Sequence, residues 1–261
     1  MIKLAVNLSN PLIELINEGS VTVDMVEVGP WYKIEKIRKF QHQLPGLSFL
    51  YHGSNQILKV GTWPGVLNNI KHSLKITNSP WASMHLSLLP PGFYWISRKL
   101  NIRLPRLSPE WCTNQFIHKA KKLSQSINVP LILENMPGLR YSNYDTEIDP
   151  DHINLILKRN GYNLLLDIAH ARVAAQNINL EIDDYLSGLP LENVMQIHIS
   201  GVRNLNGWLY DAHEILQQED LEILEWILPK TNPQVVTLEY FRAKEPLCNQ
   251  IQLLQEVLYA R

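Results

Sequence analysis

A run of leucines, Leu164-Leu165-Leu166, ends on Asp167, and His170 follows three residues later. Other apolar runs end alike: residues 129–133 on Glu134, 194–197 on His198, and 235–238 on Glu239. Earlier, residues 47–51 end on His52 and 81–84 on His85, while Asp211 and His213 follow His198 across a loop. Carboxylate and imidazole are the side chains that hold first-row metals and move protons. Taken singly, each signal is weak. A histidine at a strand end is more often hydrogen-bonded than ligating, Asp167 alone could cap a helix, and Glu239 alone could pair with Arg242. Taken together, five of the nine histidines and four carboxylates stand at or just beyond the ends of apolar runs. His42, His72, His118 and His152 fall in helical or loop segments and read as ordinary structural residues.

The elements that must carry these residues alternate. Short segments rich in Val, Ile and Leu, without clean polar alternation, predict eight strands buried on both faces, at about 2–8, 22–28, 46–52, 81–87, 130–135, 162–168, 193–200 and 234–240. Between them lie helix signals. Asn10-Pro11 reads as a cap and first-turn proline opening a helix to about residue 17. Ile34, Ile37 and Phe40 give a helical spacing over 31–42, and Ser108-Pro109-Glu110 caps a helix to about 127. Asp149-Pro150 opens another, and 221–228 and 245–258 complete the set. This alternation over about 250 residues predicts an α/β chain folded as a single-domain (β/α)₈ TIM barrel over 1–261. An open doubly wound sheet would usually carry a glycine-rich phosphate loop after its first strand, and Val6-Asn7-Leu8-Ser9-Asn10 is not one. In a barrel, strand C-termini converge on one mouth, where catalytic groups sit.

A long loop at about 88–107 would hang over that mouth. It holds Phe93, Tyr94, Trp95, Arg98, Lys99, Arg103 and Arg106 and no acidic residue. A loop of this length is often functional, so it is expected to serve as a lid or docking surface for an anionic or peptide substrate, or else as a solvated extension.

The chain has 261 residues, 45% of them hydrophobic, and a net charge of −1. A core of this size needs no disulfide or structural metal to stand. Cys112 and Cys248 are far apart and read as reduced thiols of a cytoplasmic protein. The first residues look like a strand rather than a signal peptide, and no run approaches a membrane span. The balanced charge does not favour a nucleic-acid partner.

Four carboxylates in one mouth would repel one another, and several would take up protons unless cations neutralised them. The ligand set exceeds what one ion takes. Two or three metal ions sharing a bridging carboxylate fit it, and mixed imidazole and carboxylate donors suit iron, zinc or manganese.

The order His, His, Glu, Asp-x-x-His, His, Asp-x-His, Glu resembles the xylose isomerase-like barrel superfamily, in particular two of its branches. One is the endonuclease IV family, with a trinuclear zinc site in this order. The other is the multinuclear non-heme iron-dependent oxidative enzymes, which modify cysteines in ribosomal peptides. The local wording is closer to the second. Ser83-Met84-His85-Leu86 is similar to its Ser-x-His-Leu, and Leu131-Ile132-Leu133-Glu134-Asn135 to its Leu-Leu-x-Glu-Asn. Tyr185-Leu186, Leu189-Pro190, Ile197-His198-Ile199-Ser200-Gly201 and Asp211-Ala212-His213 resemble later motifs of the same family.

The resemblance implies three metal positions: His52, His85 and Glu134; then Glu134 as bridge with Asp167, His198 and Glu239; then His170, Asp211 and His213. Glu134, Asp167, His198 and Glu239 would be the catalytic core. Many members of the oxidative family have Asn where this chain has His170, and Asp-x-x-His is closer to the endonuclease-like and isomerase-like branches. The resemblance further implies iron as the favoured metal, a cysteine-bearing peptide substrate and a separate leader-binding partner protein. Asn135 and Arg203, near the mouth, are candidates for holding substrate amide or carboxylate groups. Zinc would instead imply phosphodiester hydrolysis, and a metal pair polarising a hydroxyaldehyde would imply sugar isomerisation or epimerisation. A barrel used only for partner binding is disfavoured by the complete ligand set.

Overall fold

In a β-strand successive side chains face opposite ways, so a residue two places after an apolar inward-facing one also faces inward. That period of two builds this molecule's interior. A computed structural model describes residues 1–89, 108–138 and 145–259. Eight parallel strands close into a barrel: β1 (Lys3–Asn7), β2 (Met25–Val28), β3 (Ser48–His52), β4 (Ala82–His85), β5 (Leu131–Glu134), β6 (Asn163–Asp167), β7 (Val194–Ile199) and β10 (Val235–Leu238). Round the barrel the order is β1-β10-β7-β6-β5-β4-β3-β2. The expected barrel is therefore present.

Ala5, Met25, Leu50, Trp81, Ile132, Leu165 and Val235 form a separate buried cluster. Two residues further along the strands come Asn7, Glu27, His52, Ser83, Glu134, Asp167 and Thr237. An apolar floor thus carries a polar layer toward the C-terminal ends. Cross-strand register holds this layer level, pairing His52 with Ser83, His85 with Glu134, and Asp167 with His198.

The helices lie outside, covering the strands' other face with the large apolar cluster. They are α1 (Asn10–Asn17), α2 (Ile34–Gln43), α3 (Val66–Thr77), α4 (Pro109–Ser124), α5 (Pro150–Asn160), α6 (Ile168–Asn177), α7 (Ile182–Gly188), α8 (Gln218–Ile227) and α9 (Lys244–Tyr259). The first cap is Ser9 rather than Asn10, its side chain accepting from the Leu12 N–H. Among the described residues no helix is long and apolar enough to cross a membrane. Cys112 and Cys248 are free thiols.

One correction concerns the loop expected between His198 and Asp211: residues 201–214 are not a loop. They form an antiparallel hairpin, β8 (Gly201–Leu205) and β9 (Trp208–Glu214), that lies outside the barrel sheet. Asn206 and Gly207 both have positive φ, at 55° and 81°, as a two-residue turn of the primed kind requires. A Cβ on Gly201 would lie 2.0 Å from the Ile215 carbonyl oxygen, so the base of the hairpin closes only over glycine.

Of the loop expected at about 88–107, as a lid, docking surface or solvated extension, residues 90–107 lie outside the described residues. Its approach is described. The Leu88 N–H donates to Glu147 Oε2 at 2.7 Å, and both residues are buried. Burial pushes the Glu147 carboxyl up to about 8, against the pull of the Leu88 and Leu89 N–H groups. A carboxyl whose folded value is raised contributes stability that is full below its unfolded value and is lost as pH rises through the folded one. Glu147→Gln keeps the acceptor and removes the titration. The wild-type melting temperature should therefore fall between about pH 5 and 8 relative to that of the variant, with a slope of at most about 1.4 kcal/mol per pH unit. Parallel melting curves across that range would contradict this.

Candidate metal centre

Glu134 ends β5 at the centre of the mouth, and its two oxygens face different neighbours. Oε2 lies 3.4 Å from His52 Nε2 and 3.3 Å from His85 Nε2, and those two nitrogens are 3.2 Å apart. The His52 ring is turned by Ser83, whose Oγ is 3.1 Å from Nδ1, so that Nε2 points into the mouth. Oε1 faces the other side, 3.4 Å from His170 Nδ1 and 3.6 Å from His198 Nδ1. His198 Nδ1 is in turn 3.4 Å from Glu239 Oε1, which also accepts from Asn7 Nδ2 at 3.0 Å. Donor atoms of His52, His85 and Glu134 converge within 4.8 Å, and so do those of Glu134, Asp167 and His198.

The third set is strung out. His170 Nε2 lies 3.3 Å from Asp211 Oδ2, Asp211 Oδ1 is 3.6 Å from His213 Nε2, and His213 Nδ1 is 3.6 Å from Glu239 Oε2. Asp211 and His213 come from β9, and His213 holds a left-handed φ of 48°. Their side chains keep 25% and 28% exposure where those of Glu134 and His198 keep 1% and 0%, so this set is the open end of the site. Arg242 steadies this end of β9, donating to the Ala212 carbonyl and to Glu214.

Asp167 does double duty. It ends β6 and caps α6, its Oδ1 accepting from the His170 N–H at 2.7 Å. Asn135 fastens this corner. Its amide donates to the Asp167 carbonyl at 3.0 Å and accepts from the Asp167 N–H at 2.8 Å, while its own carbonyl lies 2.8 Å from His170 Nδ1. The sequence reading expects substrate at Asn135, but the residue is fully buried and its amide is taken up by Asp167. It sits behind the site rather than facing it. Arg203 lies exposed on β8 with its guanidinium on Glu214. Glu27, Gln196, Trp81, Asn7 and Ser83 have no site role in the sequence reading, yet they stand in or behind the polar layer. A carboxylate inside the fully buried strand Met25–Val28 was the available signal for Glu27.

The charges do not balance as ordinary hydrogen bonds. Burial pushes Asp167 up to about 7, helped by Glu239, Glu134 and Asp211 and opposed by His170. Burial acts on Glu134 in the same direction, but His85, His52 and His198 overrule it and hold it well below the usual carboxylate range. His85 is driven down to about 4 by burial. His170 and His198 rise despite burial because carboxylates surround them.

Buried polar atoms nearly always find a partner. Here His85 Nδ1, Glu134 Oε2, His198 Nδ1 and Asp211 Oδ1 are buried without a hydrogen bond among the described residues. Three of the four point among the candidate ligands. Imidazole and carboxylate lone pairs left over at one mouth fit divalent cations, which would neutralise the carboxylates and take the place of protons on the rings.

Comparison with known proteins agrees. A family model described as "RiPP precursor modification enzyme MbnB/TglH/ChrH" matches residues 6–260. The chain belongs to this family. A UPF0276 protein of Psychromonas ingrahamii is 24% identical over 180 residues, covering 66% of this chain and 61% of that protein. The aligned stretch thus spans less than two thirds of the relative's length. Among solved structures, a xylose isomerase-like TIM barrel protein from Mycobacterium smegmatis in complex with magnesium matches with a TM-score of 0.66 at 11% identity, covering 100% of this chain and 97% of the other. Endonuclease IV from Thermus thermophilus matches with a TM-score of 0.60 at 16% identity, covering 99% and 100%. At such identities these two speak for the fold alone. They show that the MbnB/TglH/ChrH chain shares its barrel fold with these two proteins.

Proposed function

We propose that this protein is a metal-dependent enzyme with a polynuclear, iron-favoured centre that oxidises cysteine in a ribosomally made peptide. The observation that carries the reading is Glu134, whose two oxygens each face a different set of imidazoles, as a bridging carboxylate does. The family's description as precursor-modifying enzymes supports the substrate class. His52, His85 and Glu134 would hold one ion, and Glu134, Asp167, His198 and Glu239 a second. His170, Asp211 and His213 would hold a third.

Iron bound there would supply the redox capacity to withdraw electrons from a thiol, with dioxygen as their acceptor. The chain's own part is positional. Ser83 and the Asn135 carbonyl turn the His52 and His170 rings, Asn7 steadies Glu239, and the buried walls exclude water. Substrate would enter at the open Asp211–His213 side, where Arg203 and Arg242 flank Glu214 at the base of the hairpin. A separate leader-binding partner would deliver the peptide, and the reaction would take place in the cytoplasm.

The test is mass spectrometry of a cysteine-bearing precursor peptide incubated with iron-loaded protein and dioxygen. The expected result is an oxidative mass change that disappears when the cysteine is replaced by serine. His170 keeps a second reading alive, because it makes the third set one that zinc also takes. Cleavage of abasic-site DNA by the zinc form, with no change in any peptide, would move the assignment to phosphodiester hydrolysis.

A further inference from the structure

Beneath the candidate ligands a chain of buried polar side chains ends on His198. Trp81 Nε1 donates to Gln196 Oε1 at 2.8 Å. An indole N–H can only donate, so the atom it meets must be the amide oxygen, and the Gln196 NH₂ points the other way. That NH₂ has two hydrogens and three neighbours: Glu27 Oε2 at 2.7 Å, Thr237 Oγ1 at 2.9 Å and His198 Nε2 at 3.0 Å. The two oxygens are nearer and take both hydrogens.

His198 Nε2 also lies 3.2 Å from each Glu27 oxygen. Facing acceptors, and receiving no hydrogen from Gln196, that nitrogen must carry the proton itself. Nδ1 is then left with its lone pair. It is the atom that faces Glu134 and Glu239 and has no hydrogen-bond partner. Glu27, Gln196, Thr237 and His198 are all at most 2% exposed, so water does not blur the polarity of the chain.

We infer that Glu27, held by Gln196 and through it by Trp81, is a positioning residue that keeps the His198 proton on Nε2 and so presents Nδ1 as a metal-binding lone pair. The inference rests on the reading of His198 as a ligand. A carboxylate behind a ligating imidazole fixes its tautomer and orientation in the same way elsewhere. Glu27, His52 and His198 are themselves close enough to hold an ion. A cation between Glu27 and His198 would, however, sit against the Gln196 NH₂, positive on positive, so Glu27 orients rather than ligates.

The experiment uses zinc(II) as probe, titrated into metal-free full-length protein against a competing chelator. Glu27→Gln keeps the volume but brings in an NH₂. With its oxygen on Gln196, the new amide points N–H at His198 Nε2 and drives the ring proton to Nδ1. The expected result is a loss of roughly 10–100-fold in affinity for one zinc, with binding at the His52 and His85 side retained. Affinities within about twofold of wild type at every step would overturn the inference.

A second measurement needs no variant and survives any failure of Glu27→Gln to fold. Long-range proton–nitrogen-15 spectra of the zinc-loaded wild type should show His198 protonated on Nε2 and zinc-bound through Nδ1. The reverse assignment would overturn the relay. His198→Ala separates the two layers of argument, since unchanged zinc binding in that variant would remove the ligand reading itself.

Discussion

Glu134→Gln should strip the protein of one metal position and weaken the one that shares the bridge, while leaving its fold intact. The variant keeps the side chain's length but exchanges one oxygen for an NH₂ that cannot ligate. Whichever way the amide turns, either the His52 and His85 side or the His170 and His198 side loses its oxygen. The new N–H then points either at the His52 and His85 Nε2 atoms or at His198 Nδ1, nitrogens whose lone pairs the metal would need. A change behind a ligand already costs about 10–100-fold in affinity, and loss of the bridging oxygen itself should cost at least that at the position it leaves. Turnover should drop on the order of 10³-fold or more, given the several kcal/mol a metal supplies and about 1.4 kcal/mol per tenfold in rate. The backbone pairing of β5 with β4 and β6 does not involve this side chain, so circular dichroism should be unchanged. Metal content and affinity equal to wild type would rule out the bridging role.

Substitution at Asp167 should separate its two functions. Asp167→Asn retains an oxygen for the His170 N–H, and Asn is as good a helix cap as Asp. It should lose metal from the position shared with Glu134 and His198, yet keep α6. Asp167→Ala should lose the same metal and a further ~1 kcal/mol of stability, the typical value of a cap. The metal-free proteins should differ in pH dependence. The folded Asp167 carboxyl is raised to about 7 by burial and neighbouring carboxylates. Its contribution is therefore full below about 4 and is lost as pH rises to about 7. In chelator, wild-type protein should lose stability across that window while Asp167→Asn holds steadier. Adding metal should reverse the loss, by about 2.7 kcal/mol when free metal is 100-fold above its dissociation constant. Thermal melts from pH 4 to 8, with and without chelator, measure all three effects. A wild-type profile parallel to that of Asp167→Asn would contradict the account.

The candidate ligands were legible in the sequence because a parallel barrel strand is apolar until it reaches the mouth, so a charged residue at its end stands out. His52, Glu134 and Asp167 are each the last residue of a strand, and Glu239 immediately follows one. Glu27 was missed because it sits inside its strand, one residue before the end, where a carboxylate looks like an isolated buried charge. Its meaning comes from Gln196 and His198 across the barrel, 169 and 171 positions away.

Other omissions have local causes. α3 starts from Gly65 in a left-handed conformation with no side-chain cap, so the usual start signal is absent. α6 begins on the residue after β6 ends, so Asp167, which the sequence offers as either a ligand or a cap, ends the strand and caps the helix at once. The hairpin did carry a signal in Asn206-Gly207, but flanking residues such as Asn204 and Asp211 lack the apolar alternation that usually accompanies one. Asn135 reads as a residue that meets substrate because it stands near the mouth. Only the fold shows its amide turned back onto Asp167.

The central claim is a bridged polynuclear centre with iron as its working metal. Its most direct test is metal content per chain, followed by Mössbauer spectroscopy, on protein expressed in iron-rich medium and purified without oxygen. The account predicts two or three irons per chain, with a ferrous signal that changes on exposure to dioxygen. A single metal per chain, or zinc filling the site under iron-rich conditions, would contradict it.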